Sequence, residues 1–378
     1  MTIAAIASLI VFEILLIFVH LAVYATLVAA FGIGGAWLKI LFVTLALTFV
    51  SASVLSRFYK GALVDRYYQF SAYWFGLVHF LFGGAVMFYF TLDIFYAHNM
   101  YVSSALAGAI TFGAAFLLHL YGTVHSQRPR ITRVKISFAA LSGFRADFWK
   151  GKKIVFVSDL QLGNVYRQKF TARVAAKINA LDPYAVLIGG DLYDGVVCDE
   201  EELIAPLRAL HPPGGIYFIT GNHEYYLPNV PRAMAAIRAA GIAILDDRKI
   251  DIGGGIDLIG VNYPSAHEKE NFKKVLERIG VDRARPSILL KHEPTDLDVA
   301  AGAGVSLTLS GHTHHGQIFP LMFFTWQIYK GFDYGLQRLG AMQIFTSSGA
   351  GTWGPPLRLG TKSEIVCIEL ILPAGAKA

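Results

Sequence analysis

The sequence predicts two materials in one chain: four apolar helices that cross a membrane, followed by an α/β domain of β-sheets flanked by helices. Two observations predict this. From Met1 to about Tyr121 formal charges are few, namely Glu13, Lys39, Arg57, Lys60, Asp65, Arg66 and Asp93, whereas beyond Gln127 the charge density is that of an ordinary soluble domain. From about Ile131 strand-like and helix-like stretches alternate, with polar residues at the strand exits. The hydrophobic share of 54% is therefore an average over the two parts. At 378 residues the chain is long enough for two cores, and the expected division is 1–127 and 128–378.

Four apolar blocks, roughly Ile3 to Phe31, Trp37 to Ser56, Ser71 to Tyr96 and Tyr101 to Tyr121, each approach or exceed the roughly 20 residues a spanning helix needs. A cleaved signal peptide does not fit the first block, which lacks a basic start, is too long and is followed by three more spans. Basic residues set the orientation. Arg57, Lys60 and Arg66 cluster in the second loop, and Arg128, Arg130, Arg133 and Lys135 follow the last span, against Lys39 alone in the first loop. Both termini and the α/β domain are thus expected on the cytoplasmic side of an inner or plasma membrane. Cys198 and Cys367 suit a reducing compartment. A net charge of +6, partly this topology signal, does not point to nucleic acid.

Within the second part, RITRVKISF alternates like a half-exposed strand, and KKIVFVSD reads as a buried one. Helical spacing runs from Tyr166 to Ala180. AVLIGGD is a buried strand, Glu200 to Leu210 a helix, GIYFITGNHE a strand into a loop and Val230 to Ala240 a helix. DLIGVNY, SILLKHEP and SLTLSGHTHHGQ are further strands, with a helix over Glu268 to Ile279. An open α/β sheet builds sites this way, since side chains at the carboxyl ends of its strands converge on one crevice. GAGTWG, Gly349 to Gly354, matches GxGxxG literally, but Pro355-Pro356 stand where a helix should open, so it reads as a loop.

The strand exits carry Asp159 and Gln161, Asp191, Asn222 and His223, His292, and His312 and His314. Carboxylate, amide and imidazole groups are the donors of borderline divalent metals, and there are too many here for one four- to six-coordinate ion. Two ions are the economical reading, with a carboxylate bridging them at the roughly 3.5–4 Å separation of two-metal hydrolases.

The set Asp159-Leu160-Gln161, Gly190-Asp191-Leu192-Tyr193-Asp194, Gly221-Asn222-His223-Glu224, His292 and Gly311-His312-Thr313-His314 resembles the signature of the calcineurin-like metallophosphoesterases: DxH, GDxxD, GNH(D/E), a lone His and GHxH. The resemblance covers about Ile131 to Leu372 and not the apolar blocks. GHTHHGQ and SSGAGTWGPPLRLG look like its membrane-anchored branch. It implies that Asp159, Asp191 and His314, completed by position 161, hold one metal, and that Asp191, Asn222, His292 and His312 hold the other. It further implies that water activated between the ions attacks phosphorus while His223 protonates the leaving alkoxide.

Gln161 departs from the pattern, which has His there. An amide oxygen can ligate, and the resulting oxygen-dominated site favours Mn²⁺ or Mg²⁺ over Zn²⁺, with Fe also compatible. Alternatively Gln161 bonds a metal-bound water, or the first metal is lost. Among other residues, Asp194 is expected to orient the Asp191 loop, His315 to be a loop residue, and Arg358 either to clamp a phosphate or to be a plain surface residue. The run Ile318 to Phe332 is either an aromatic segment dipping into a lipid interface or a buried strand pair. Glu13, His20, His79, Asp93 and His119 are costly in hydrocarbon and are expected in interhelical hydrogen bonds.

The expected function is that of a bilayer-anchored, two-metal phosphoesterase that hydrolyses a phosphate ester or pyrophosphate of a lipid-linked substrate at the cytoplasmic face, its partners being the bilayer and a phosphorylated small-molecule or lipid substrate. Alternatives are a hydrolase of soluble nucleotides or phosphoproteins, and a non-catalytic protein that binds a phosphoryl ligand. The residues leave the oligomeric state open.

Overall fold

A computed structural model describes residues 3–138 and 144–371, so residues 372–378 of the expected second domain lie outside the described residues. The chain divides into two compact units, Met1–Val124 with Gly354–Leu357, and His125–Trp353 with Arg358–Ala378.

The first unit is helical: α1 (Ile3–Phe31), α2 (Ala36–Ala46), α3 (Thr48–Ser56), α4 (Ala62–Ala97) and α5 (Ser104–Ser126). Leu47 separates α2 from α3, and the two form one apolar stretch. Four segments among the described residues are long and apolar enough to cross a membrane. Helix α4 begins nine residues before the expected Ser71, because Ala62 to Phe70 contains no helix breaker and Gly61 precedes it. Arg66 therefore sits on a helix and not in the loop. Of the polar residues inside these helices, His20 accepts from Trp74 Nε1 at 2.9 Å while its Nδ1 lies 2.7 Å from the Leu16 carbonyl. That satisfies both ring nitrogens with a single proton, as expected for an interhelical contact. Glu13 and His119 have buried side-chain atoms without a hydrogen-bond partner among the described residues, and Asp93 is exposed.

In the second unit β1 (Arg130–Ser137), α6 (Ala146–Trp149), β2 (Lys153–Val157), α7 (Gln168–Asn179), β3 (Ala185–Ile188), α8 (Glu200–Ile204) and β4 (Ile216–Phe218) come first. Then follow α9 (Val230–Ala239), β5 (Ala243–Ile244), β6 (Arg248–Asp251), β7 (Asp257–Gly260), α10 (Tyr263–His267), α11 (Lys269–Ile279) and β8 (Ser287–Leu290). The unit closes with α12 (Leu297–Ala303), β9 (Leu307–Ser310), α13 (Met322–Ile328), β10 (Gly335–Leu339), β11 (Met342–Thr346) and β12 (Glu364–Ile371).

These strands form two six-stranded sheets among the described residues, in the orders β1-β12-β2-β3-β4-β5 and β10-β11-β9-β8-β7-β6. The expected β-sheets flanked by helices are thus present as two sheets packed on each other in a sandwich. The alternation of each strand explains how. On β2, Ile154 and Phe156 face a core shared with Leu258, Ile288 and Leu309 of the other sheet. Val155 and Val157 face Phe170, Val174 and Ile178 of α7 instead. Across the second sheet, Ile259 and Leu289 pack on Phe272 and Leu276 of α11 and Leu297 of α12. The central strands β2, β3, β7, β8 and β9 are covered on both faces, so they read as continuous apolar runs, and nothing in such a run says which sheet it joins. The helix expected over Glu200 to Leu210 stops at Ile204 and tightens into a 3₁₀ turn over Ala205–Ala209, because Pro206 has no N–H to continue it.

Candidate active site

Three exits from the first sheet and two from the second bring the polar residues together. Asp159 follows β2, Asp191 follows β3, Asn222 and His223 follow β4, His292 follows β8, and His312 and His314 follow β9. Asp159, Gln161, Asp191, His312 and His314 all have left-handed backbones, with φ between 47° and 69°. Such conformations cost of order 1–3 kcal/mol each in non-glycine residues and persist where surrounding bonds impose them. Those bonds are visible. Glu224, fully buried, accepts from the backbone N–H groups of Asp191 (3.0 Å), Tyr193 (3.1 Å) and Gly221 (2.7 Å), stitching the GNHE turn to the GDLY turn. Gly221 must be glycine, since a β-carbon there would collide with the Asp191 carboxylate. The Asp159 carboxylate caps the His312 N–H at 3.0 and 3.2 Å.

At the centre is Asp191. Its Oδ1 accepts from the His223 N–H at 2.9 Å, and its Oδ2 accepts from Gln161 Nε2 at 2.9 Å. His292 Nε2 lies 3.2 Å from the same Oδ2. Because His292 Nδ1 is 2.7 Å from the Gly189 carbonyl and must donate to it, a neutral His292 would present its Nε2 lone pair to a carboxylate. Such a contact needs a positive charge between the two atoms. The electrostatics say the same. Burial opposes charge on His292, yet Asp191 and Asp159 raise its pKa to about 10. Burial likewise opposes the Asp191 charge, but His292 and His223 more than offset it and hold its pKa low. For Asp159, burial and the neighbouring Asp191 outweigh His292 and raise the pKa to about 6. A divalent ion would supply the charge that these groups otherwise draw from protons.

Ligand atoms of Asp191, His292 and His312 lie within 4.8 Å of one another, close enough to share one ion. Asn222 joins them, its Oδ1 being 2.9 Å from His312 Nδ1. On the other side of Asp191, His314 Nε2 is 3.7 Å from Asp159 Oδ1. Gln161 is buried there, and its Oε1 has no hydrogen-bond partner among the described residues. An orphaned buried amide oxygen beside a carboxylate and an imidazole fits a ligand atom. The residues present therefore fit a divalent ion at Asp191, His292 and His312. His223 stands at the edge, with Nδ1 3.0 Å from the Asp194 carbonyl and Nε2 3.9 Å from Asp191 Oδ2. Asp194 thus backs His223 as well as belonging to the Asp191 turn.

A scan against family models matches residues 152–316 to the calcineurin-like phosphoesterase family. A metallophosphoesterase of Aquifex aeolicus is 30% identical over 223 residues, which are 58% of this chain and 84% of that protein. The chain belongs to the calcineurin-like metallophosphoesterases. It is accordingly a metal-dependent phosphoesterase. A Helicobacter pylori metallophosphoesterase is 28% identical over 366 residues, 88% of this chain and 97% of that protein, a span longer than the second unit alone. A zebrafish (Danio rerio) protein named a transmembrane protein with metallophosphoesterase domain is 31% identical over 272 residues, 67% of this chain and 60% of that protein. Membrane association of this metallophosphoesterase follows from the four apolar helices and from relatives so named.

Two expectations need correction. Arg358 neither clamps a phosphate nor lies on the surface. It is fully buried, with Nη1 donating to the His314 carbonyl at 2.9 Å and Nη2 to the carbonyls of Ser348 and Gly351, and with Nη2 3.3 Å from His314 Nδ1. Its Nη2 donors hold the loop that carries Ser348 to Gly351, which in turn bonds the backbone of Ser158 and Asp159, while Nε has no partner among the described residues. The GAGTWG stretch is this loop and contains no helix. Nor is Ile318 to Phe332 a buried strand pair. It contains α13, none of whose residues is buried, with Phe323, Phe324, Trp326 and Ile328 all more than 59% exposed. His315 is engaged by Asp333 at 2.9 Å and stacked on Tyr334. Sequence reasoning gave no role to Glu224, which follows the candidate proton donor His223, or to Glu293, which follows the candidate ligand His292. Their signal was that a carboxylate in a buried strand exit needs donors around it.

Proposed function

We propose that this metallophosphoesterase uses two divalent ions to cleave a phosphate ester or pyrophosphate in a lipid-linked substrate at the cytoplasmic face of the membrane. Asp159, Gln161, Asp191 and His314 hold one ion in this reading, and Asp191, Asn222, His292 and His312 the other. Manganese suits the mixed oxygen and imidazole donors. When bound, the ions supply an activated water and neutralise charge on the phosphoryl oxygens. His223, turned by the Asp194 carbonyl so that Nε2 points toward Asp191, gives its proton to the departing alkoxide. The Lys and Arg bias around residues 57–66 and 128–135 supports the cytoplasmic placement.

The observation that carries the lipid-linked part is α13. Its Thr325 bonds Asp333, whose backbone carbonyl accepts from Thr313 of the GHTHH loop, and the Tyr329 ring that follows lies 6.3 Å from the His312 ring. An exposed aromatic helix is thus tied directly to the metal-binding loop. Leaving a Phe or Ile side chain in water forgoes about 2 kcal/mol of burial, so four together favour an apolar cover. Acyl chains of a substrate or its surrounding lipids provide one, and an enzyme tethered to their bilayer meets them at high effective concentration.

Turnover of a water-soluble phosphate ester should be compared with that of lipid phosphate esters and pyrophosphates in mixed micelles, using full-length protein with Mn²⁺. Faster cleavage of the lipid substrates is expected. Equal rates would remove the lipid-linked part, and absence of phosphate release with any divalent ion would remove catalysis.

A further inference from the structure

We infer that Glu293 is a positioning residue that fixes the ring proton of His312 on Nε2 and so keeps Nδ1 bare for a metal ion. The inference rests on the two-metal reading above and extends it by one residue.

His312 has a polar neighbour at each ring nitrogen. Nε2 is 3.3 Å from Glu293 Oε1, and Nδ1 is 2.9 Å from Asn222 Oδ1. A neutral imidazole has one N–H to offer, and a carboxylate can only accept. If the proton sat on Nδ1, the Nε2 lone pair would face a carboxylate. With the proton on Nε2 that contact becomes a charge-assisted hydrogen bond, and Nδ1 faces Asn222 as a second acceptor. The Asn222 amide is oriented by its own Nδ2, which donates to Tyr226 Oη at 3.3 Å, so its oxygen is the atom turned to His312. Two acceptors at that separation match neighbouring ligands of one ion, since bonds of about 2.1 Å at a right angle place donor atoms about 3 Å apart.

Glu293 is itself held. Tyr263 Oη donates to Oε1 at 3.3 Å, and Lys291 Nζ, fully buried, donates to the Glu293 carbonyl at 2.9 Å and to Thr295 Oγ1 at 2.8 Å. The KHEP turn therefore supplies a ligand, His292, and the orienting carboxylate for another ligand in adjacent positions. Partners of this kind typically shift metal affinity 10- to 100-fold.

The test is Mn²⁺ titration of full-length Glu293→Gln and Glu293→Ala against the wild type, read by bound Mn per chain and by the electron paramagnetic resonance signal of the coupled pair. Both variants should keep one ion at wild-type affinity and bind the second roughly 10-fold (Gln) to 100-fold (Ala) more weakly. The coupled-pair signal should give way to that of isolated Mn²⁺ until excess metal restores it. Thermal midpoints of the metal-free proteins should coincide, and if the Ala variant fails this control the Gln variant carries the test. Two ions bound as tightly as in the wild type would overturn the role of Glu293. A wild type that never binds two ions would instead overturn the two-metal reading.

Discussion

His292 Nε2 stands 3.2 Å from Asp191 Oδ2 with its other nitrogen committed to the Gly189 carbonyl. Two residues a hundred positions apart are thus held in a geometry that a proton or a metal ion between them makes favourable, and this contact organises the site.

The first prediction concerns His223. It lies at the edge of the cluster, and its Nδ1 is bonded to a carbonyl, so His223→Ala should leave metal content unchanged. Turnover of an ester with a poor leaving group should fall by about 10²- to 10⁴-fold, the usual worth of a general acid. Little loss with a nitrophenolate leaving group, which needs no proton, would separate this role from a structural one. Equal losses on both esters would count against it.

Gln161 is the second. Because Oε1 is buried and unpartnered while Nε2 bonds Asp191 Oδ2, Gln161→Ala should weaken one of two ions and Gln161→His should shift preference from Mn²⁺ toward Zn²⁺. Metal analysis after dialysis against equimolar Mn²⁺ and Zn²⁺ measures both. Unaltered content and preference in both variants would make Gln161 a bystander.

How much of this was legible? The ligand positions were, because buried strands end abruptly in polar residues and the chemistry of Asp, Asn and His is written in their identity. Which of the two sheets each strand joins was not. Ile288 and Val186 sit in equally apolar runs, and their assignment to different sheets is set by contacts between residues distant in sequence. Strands β10 and β12 escaped notice for a related reason: β10 is mostly exposed and polar in part, and β12 returns to pair between β1 and β2 after a long loop. Arg358 was misread because an arginine in PPLRLG looks solvated until the carbonyls of Ser348 and Gly351 are seen to surround it.

That burial supplies the third prediction. Arg358→Leu would leave several buried carbonyls without donors, at a cost of about 3 kcal/mol or more. Thermal unfolding in detergent should shift down by several degrees, and the loop over Asp159 should become sensitive to limited proteolysis. A variant of unchanged stability with a raised KM for phosphate esters would restore the phosphate-clamp role.

The fourth concerns α13. Replacing Phe323, Phe324 and Trp326 together by Ser should leave the fold intact, because these side chains are exposed. Turnover of a lipid ester in vesicles should drop roughly 10-fold, about what losing 1.4 kcal/mol of apolar contact implies, with turnover of a soluble ester unaltered. A parallel drop on both substrates would place the effect in the metal loop instead.

The most direct measurement is anomalous diffraction from crystals of the full-length protein grown with Mn²⁺. Two peaks are predicted, one within coordination distance of Asp191, Asn222, His292 and His312, the other beside Asp159, Gln161 and His314. A map with no peak against His292 and Asp191 would contradict the account.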